Sequence, residues 1–255
     1  MVDAEIKKGR FQNKVVIVTG AAGGIGAATA RRFAGEGAAL VLVDLAAAAG
    51  KRDAVTEACR ADGAPDILSL DCDVARDEDV AAVAKAAMAR FGHIDVVVNV
   101  AGYMAFKSIR DFSGEEWRRL MDVNFMGAVY FTQEALRVMQ PGGAIVNVAS
   151  IHAFQTTAFV APYAAAKAAM ASLTRSTAIE GKALGIRANA VAPGAVDTQM
   201  FWASPNIASG EEKVPDNMLG RPEDIAAVVA FLASTDAAFM TGATVTADGG
   251  RLSTL

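Results

Sequence analysis

Two cysteines and two histidines are all that the 255 residues carry. Cys59 and Cys72 form no C-x-x-C pair, which speaks against a disulfide scaffold and for a reducing compartment. No cluster of His, Cys and acids has ligand spacing, so no metal is expected. Basic charge is also scarce: 24 Lys and Arg face 28 Asp and Glu, a net charge of −4. Without a basic patch, nucleic acid is not an expected partner. No apolar run reaches about 18 residues, so no membrane span is expected. The first stretch, MVDAEIKKGRFQNK, is charged and lacks the apolar run of a signal peptide. What remains is the expectation of a cytoplasmic α/β protein.

Apolar residues are plentiful, at 53% against 20% charged, enough for one sizeable core. Short apolar, β-branched runs at 14–20, 38–45, 66–74, 94–102, 143–150, 186–194 and 242–250 read as buried strands. Helical spacing fills the gaps, notably at 24–37, 77–92, 114–139 and 222–234, and around Tyr163. Asp77 or its neighbour is the expected N-cap of the 77–92 helix. Wholly apolar strands alternating with helices predict a doubly wound parallel sheet, covered on both faces, in a single domain over 1–255. The one long irregular stretch, about 195–220, reads as a substrate-binding lid.

The first strand ends in Thr19-Gly20-Ala21-Ala22-Gly23-Gly24-Ile25-Gly26, directly before a helix. Glycines there permit a tight turn and let a pyrophosphate approach a helix N-terminus. Asp44 closes the second strand, where a carboxylate accepts ribose hydroxyls and repels a 2′-phosphate. Ala21 and Ala22 offer no cation for such a phosphate. NAD is therefore the expected cofactor. Asp73 is placed to bond the adenine amino group, with Val74 against the ring; a helix-cap role for Asp73 is the alternative.

Tyr163 and Lys167 lie one helical turn apart among alanines. A phenol titrates near 10, and a nearby ammonium favours its ionised form. Tyr163 is the expected general acid and base, with Lys167 lowering its pKa and the alanines giving cofactor and substrate room to approach. Ser150, at the end of the fifth strand, is placed to donate to a substrate oxygen. Pro193 and Gly194 would shape the turn under the nicotinamide. The Val196 backbone is placed to bond its carboxamide, and Thr198 to bond the carboxamide or a phosphate. His152 is a candidate substrate contact and His93 a turn residue. Met104, Phe154, Phe159, Met200, Phe201 and Trp202 flank these segments as candidate pocket residues.

T-G-x-x-x-G-I-G together with Ser150, Tyr163 and Lys167 in the spacing S-x12-Y-x3-K resembles the short-chain dehydrogenase/reductase family. IDVVVNVAG, VNFMGA, APGAVDT and the final DGG follow in the family's order, so the resemblance covers residues 11 to 250. It implies a seven-stranded Rossmann-type sheet, NAD(P)-dependent hydride transfer, and a homotetramer or homodimer. It also implies that Asn124 helps to hold a proton-carrying water chain and that Lys167 bonds the nicotinamide ribose. Ile25, Leu45, Asn99, Ala101 and Gly102 join the expected dinucleotide contacts. The family commonly has Asn-Asn-Ala-Gly where this chain has Asn99-Val100-Ala101-Gly102, and a local packing change is expected at Val100.

The function expected from all this is NAD-dependent interconversion of a small, cyclic or partly apolar secondary alcohol and its ketone. A sugar or polyol substrate is the alternative, served by Ser150, His152, Gln155 and Asn206. A cofactor-binding regulator without turnover is disfavoured, because it would not require Asn124, Ser150, Tyr163 and Lys167.

Overall fold

The computed structural model describes residues 7–210 and 213–253. The chain runs β1 (Val15–Thr19), α1 (Gly24–Gly35), β2 (Ala39–Asp44), α2 (Ala49–Asp62), β3 (Ile67–Asp71), α3 (Asp77–Phe91) and β4 (Val96–Asn99). It continues through α4 (Gly114–Met121), a π-turn (Asp122–Met126), α5 (Gly127–Val138), β5 (Ala144–Val148), α6 (Ala161–Gly181) and β6 (Arg187–Pro193). Two short helices, α7 (Gln199–Trp202) and α8 (Pro205–Ser209), precede α9 (Pro222–Ala233) and β7 (Thr244–Ala247).

All seven strands pair in parallel, in the order β3-β2-β1-β4-β5-β6-β7. Alternation along each strand sends side chains to opposite faces. Val16, Val18, Leu40 and Leu42 meet Phe33 of α1 and Ile225 and Leu232 of α9. Val15, Ile17, Val41 and Val43 face the other way, onto Val83 of α3 and Phe131 of α5. Residues buried on both sides explain why the strands read as continuous apolar runs.

Three sequence expectations need correction. The third strand is shorter than 66–74: Cys72, Asp73 and Val74 lie past its end. The last strand likewise spans only Thr244–Ala247, because Asp248 turns the chain. The N-cap of α3 is Arg76, the neighbour of Asp77, as expected, but without a side-chain capping bond. The expected helix 114–139 is broken by the π-turn, which inserts one residue into the ladder. The 195–220 stretch carries α7 and α8, and residues 211 and 212 lie outside the described residues. Its ends are pinned together by Asp197 N–H to Gly220 O and Gly220 N–H to Ala195 O, both 2.9 Å.

The order reverses between β1 and β4, so the loops after these two strands diverge and leave a crevice at the sheet's C-terminal edge.

Candidate active site

A single cavity of about 710 Å³ runs along that edge. Its floor at one end is the turn after β1. Gly20 has φ +64, and a Cβ on Gly26 would sit 2.0 Å from Gly20 O. The glycines thus let α1 start directly against the strand. The N-cap Gly23 makes no side-chain capping bond, so the first N–H groups of α1 remain available to an anion. Asp44, at the end of β2, accepts from Ala22 N–H at 2.9 Å and Leu45 N–H at 2.8 Å. A carboxylate has about four lone-pair sites, so it keeps capacity for ribose hydroxyls. Asp73 accepts from Arg119 at 2.9 Å and from Ala75 N–H at 3.1 Å. Val74 lines the cavity beside it.

The other end is built by β5, α6 and the loop after β4. Tyr163 and Lys167 share a face of α6, and both line the cavity, as does Ser150. Lys167, 3% exposed, donates to Val148 O at 2.8 Å. Its Nζ sits 5.5 Å from the centroid of the Tyr163 ring. Burial pulls the ammonium down to about 8 and pushes the phenol up to about 12, with a Ser150 hydrogen bond acting the other way on the phenol. Desolvation is the dominant cause, and Lys167 is not among the groups that lower Tyr163, contrary to expectation. The His152 ring packs edge-on at 6.0 Å from Tyr163, and burial, followed by the charge of Arg251, lowers it to about 4.

The alanines of α6 do not line this cavity, contrary to expectation. Ala164, Ala166 and Ala171 are buried, so small side chains bring α6 close to its neighbours and thereby set Tyr163 and Lys167 at the wall.

Gly20, Gly24, Ile25, Gly26, Asp44, Leu45, Asp73, Val74, Ala101 and Gly102 all line the one cavity. So do Met104, Pro193, Gly194, Val196, Thr198, Met200 and Phe201. Thr198 also caps α7, accepting from Phe201 N–H at 3.3 Å. Others lie elsewhere. Asn99 points into the sheet and donates to Asn147 Oδ1 at 2.8 Å. Asn124, fully buried, sits behind the wall: it bonds Tyr103 N–H and C=O and the Leu120 C=O. Phe154 is 54% exposed, and Trp202, 56% exposed, turns out to bond Asp197; neither lines the cavity. Phe159, Gln155 and Asn206 are also outside the lining. His93 caps the turn before β4, bonding Phe91 O at 3.0 Å. Val100 lines the cavity while packing against the core under α1 and α9. Sequence reading missed Lys51, Tyr103, Phe106, Arg119 and Arg251 in the lining. Tyr103, directly after IDVVVNVAG, and Arg251, directly after the DGG turn, had a motif beside them.

A sequence model of the family described as "Enoyl-(Acyl carrier protein) reductase" matches residues 20–251. A cis-4-hydroxycyclohexanecarboxylate dehydrogenase of Sinomonas cyclohexanicum is 42% identical over 245 residues, covering 94% of this chain and 97% of that protein. The chain belongs to the short-chain dehydrogenase/reductase family. It is an oxidoreductase of that family. Serratia marcescens meso-2,3-butanediol dehydrogenase is 36% identical, over 94% of this chain and 95% of its own. A short-chain dehydrogenase of Burkholderia cenocepacia J2315, solved in complex with NADP, superposes with a TM-score of 0.87 at 30% identity, over 94% of this chain and 98% of that one. The family uses a nicotinamide cofactor. The residues present fit one: an uncapped helix N-terminus behind a glycine turn, a carboxylate at the end of β2 and a phenol–ammonium pair all face one cavity.

Proposed function

We propose that this chain interconverts a secondary alcohol and a ketone with NAD(H), with Tyr163 as general acid and base. The carrying observation is that Ser150, just past the end of β5, and Tyr163 and Lys167 from α6 share one wall of the cavity whose far end holds the glycine turn and Asp44. The bound cofactor supplies the hydride acceptor or donor and, when oxidised, a positive charge beside the phenol. The Ser150 hydroxyl holds the substrate oxygen against Tyr163 Oη. Tyr163 removes the hydroxyl proton in oxidation and returns it in reduction. Burial, only partly offset by the Ser150 hydrogen bond, holds that phenol at about 12, so cationic neighbours must offset desolvation for it to act as a base near neutral pH. Lys167 spends one N–H on Val148 O and keeps two donors for ribose hydroxyls. Asn124 fixes the Tyr103 backbone, and with it the wall between itself and Lys167, where the expected water chain would run.

Asp44 supports NAD over NADP. Met104, Phe106, Met200, Phe201 and Ile207 in the lining support a cyclic, partly apolar alcohol, in keeping with the hydroxycyclohexanecarboxylate named for the 42% identical relative. A small polyol is the second reading, supported by Thr157 and Ser204 in the same lining and by the butanediol relative. Residues 195–220 serve as the substrate lid. The assembly in this reading is a homotetramer or homodimer, which light scattering decides.

Turnover of a panel of cyclic and acyclic secondary alcohols, followed by NADH absorbance, tests the assignment. Tyr163→Phe lowers kcat by about a thousandfold while NADH fluorescence still reports binding. Unchanged turnover in that variant overturns it.

A further inference from the structure

His152 has no step in the alcohol–ketone chemistry above, yet it stands beside two of the groups that carry it. Its backbone N–H donates to Ser150 Oγ at 3.2 Å, and its ring packs edge-on against Tyr163 with centroids 6.0 Å apart. A single tight turn over Ile151–Ala153, begun by Ser150, fixes this placement, with Ala153 N–H donating to Ser150 O at 3.0 Å. His152 lines the cavity together with Ser150 and Tyr163.

The two ring nitrogens have different surroundings. Nδ1 lies 3.0 Å from Thr156 Oγ1, and that hydroxyl directs its one proton to Thr157 O at 3.4 Å. A hydroxyl that has given its proton away accepts from its other neighbour, so Nδ1 carries the ring hydrogen and donates. Nε2 is left with a bare lone pair, and among the described residues it has no hydrogen-bond partner. Burial, followed by the charge of Arg251, lowers the ring to about 4, so it is neutral near neutral pH and Nε2 stays an acceptor. Among the described residues, the carboxylates of the lining are Asp44 and Asp73, both at the opposite end beside β2 and β3, so neither takes a substrate donor here. The positive charge felt at the ring disfavours an ammonium, and a neutral hydroxyl suits the place.

We propose that His152 Nε2 accepts a hydrogen bond from a second hydroxyl of the substrate, on the carbon next to the reacting one, so that the preferred substrates are vicinal diols and the matching α-hydroxyketones. This deepens the alcohol–ketone reading and rests on it. Because the imidazole and the phenol are neighbours, the two oxygens they hold are neighbours as well, which a pair on adjacent carbons satisfies. Two anchored oxygens then fix which face of the reacting carbon meets the cofactor.

Reduction of 2-hydroxycyclohexanone and of 2-methoxycyclohexanone, each with NADH, tests this. The methyl group removes the donor from the second oxygen and keeps its lone pairs. The wild type favours the hydroxyketone in kcat/KM by about tenfold or more. His152→Phe, which keeps a ring against Tyr163 without its nitrogens, brings that ratio close to one, and His152→Gln, whose amide oxygen accepts, restores part of it. A purely structural role through Ser150 would lower both ketones alike and leave the ratio standing. A ratio near one in the wild type overturns the proposal, since a ring donating from Nε2 would hold either oxygen. A ratio that survives in His152→Phe overturns it too. Should that variant not fold, His152→Leu takes its place, and failing both the wild-type ratio decides. Turnover of both ketones at equal kcat/KM removes the role of His152 and leaves the alcohol–ketone reading standing. Absence of turnover for every ketone removes that reading, and the thermal shift given by cyclohexane-1,2-diol in wild type against His152→Phe then judges His152 by itself.

Discussion

Asp44 ties the glycine turn to the end of β2, since its two carboxylate oxygens take the N–H groups of Ala22 and Leu45. The same carboxylate faces the cavity, as does Lys51 on α2. Removing the negative charge leaves a lysine at the end where a 2′-phosphate would sit. Asp44→Ala therefore lowers the NAD-to-NADP ratio in kcat/KM by about 10- to 100-fold, read from parallel assays with the two cofactors. A wild type that already prefers NADP sinks the argument. Residues of this kind were legible because a fixed offset from a strand or a helical turn places them. Asp44 ends β2, Ser150 lies two residues past the end of β5, and Tyr163 and Lys167 share a helix face. Phe154 and Trp202 were not, because a side chain in a turn or at the end of a one-turn helix goes where local bonds take it, and Trp202 goes to Asp197. Arg251 stayed hidden for the same reason: one basic residue after a turn has no period to read.

At the scale of elements, the helix expected over 114–139 shows what an apolar pattern leaves out. A π-turn adds a single residue, and the spacing on either side still reads as helix. That turn carries Asn124, which replaces ladder bonds by three of its own, to Tyr103 N–H at 3.1 Å, Tyr103 O at 3.0 Å and Leu120 O at 2.9 Å. A Cβ on Gly102 would lie 2.5 Å from Asn124 Oδ1 and 3.6 Å from Lys167 Nζ, so the three groups are in contact around one glycine. Asn124→Ala leaves buried backbone groups of Tyr103 unpaired. It costs about 3 kcal/mol in urea unfolding, and it loosens the wall beside Lys167. A loss below about 0.5 kcal/mol, within the range of ordinary surface substitutions, shows that the π-turn does not depend on this side chain. The glycine turn, by contrast, was readable as an element, because only a strand running straight into a helix needs so many glycines together.

For the molecule as a whole, apolar strands separated by helices were enough to announce a parallel sheet with both faces covered. The strand order came only with the structure, since nothing in an apolar run names its neighbour; the resemblance implied only a seven-stranded Rossmann-type sheet. Burial along the cavity wall also sets how the molecule responds to pH. His152 titrates at about 4 when folded, against 6.5 for a free imidazole. Between those values the unfolded chain binds a proton that the folded chain refuses, so stability falls as pH drops from 6.5 through about 4. Lys167 has the same sign further up: folded at about 8 against 10.5, it makes stability rise as pH climbs across that interval. Tyr163 runs the opposite way, retaining its proton to about 12 while an unfolded phenol loses it near 10, so stability falls across that upper interval. Carboxylates titrate in the acid window too, which is why a variant is needed to isolate one group. His152→Gln keeps a polar side chain but removes the titration. Its thermal midpoint falls less steeply than that of the wild type between pH 6.5 and about 4, while the alkaline behaviour set by Lys167 and Tyr163 is unchanged. Parallel acid limbs for the two proteins would mean that the imidazole takes up its proton equally well in both states, and that burial at this end of the cavity does not govern its charge.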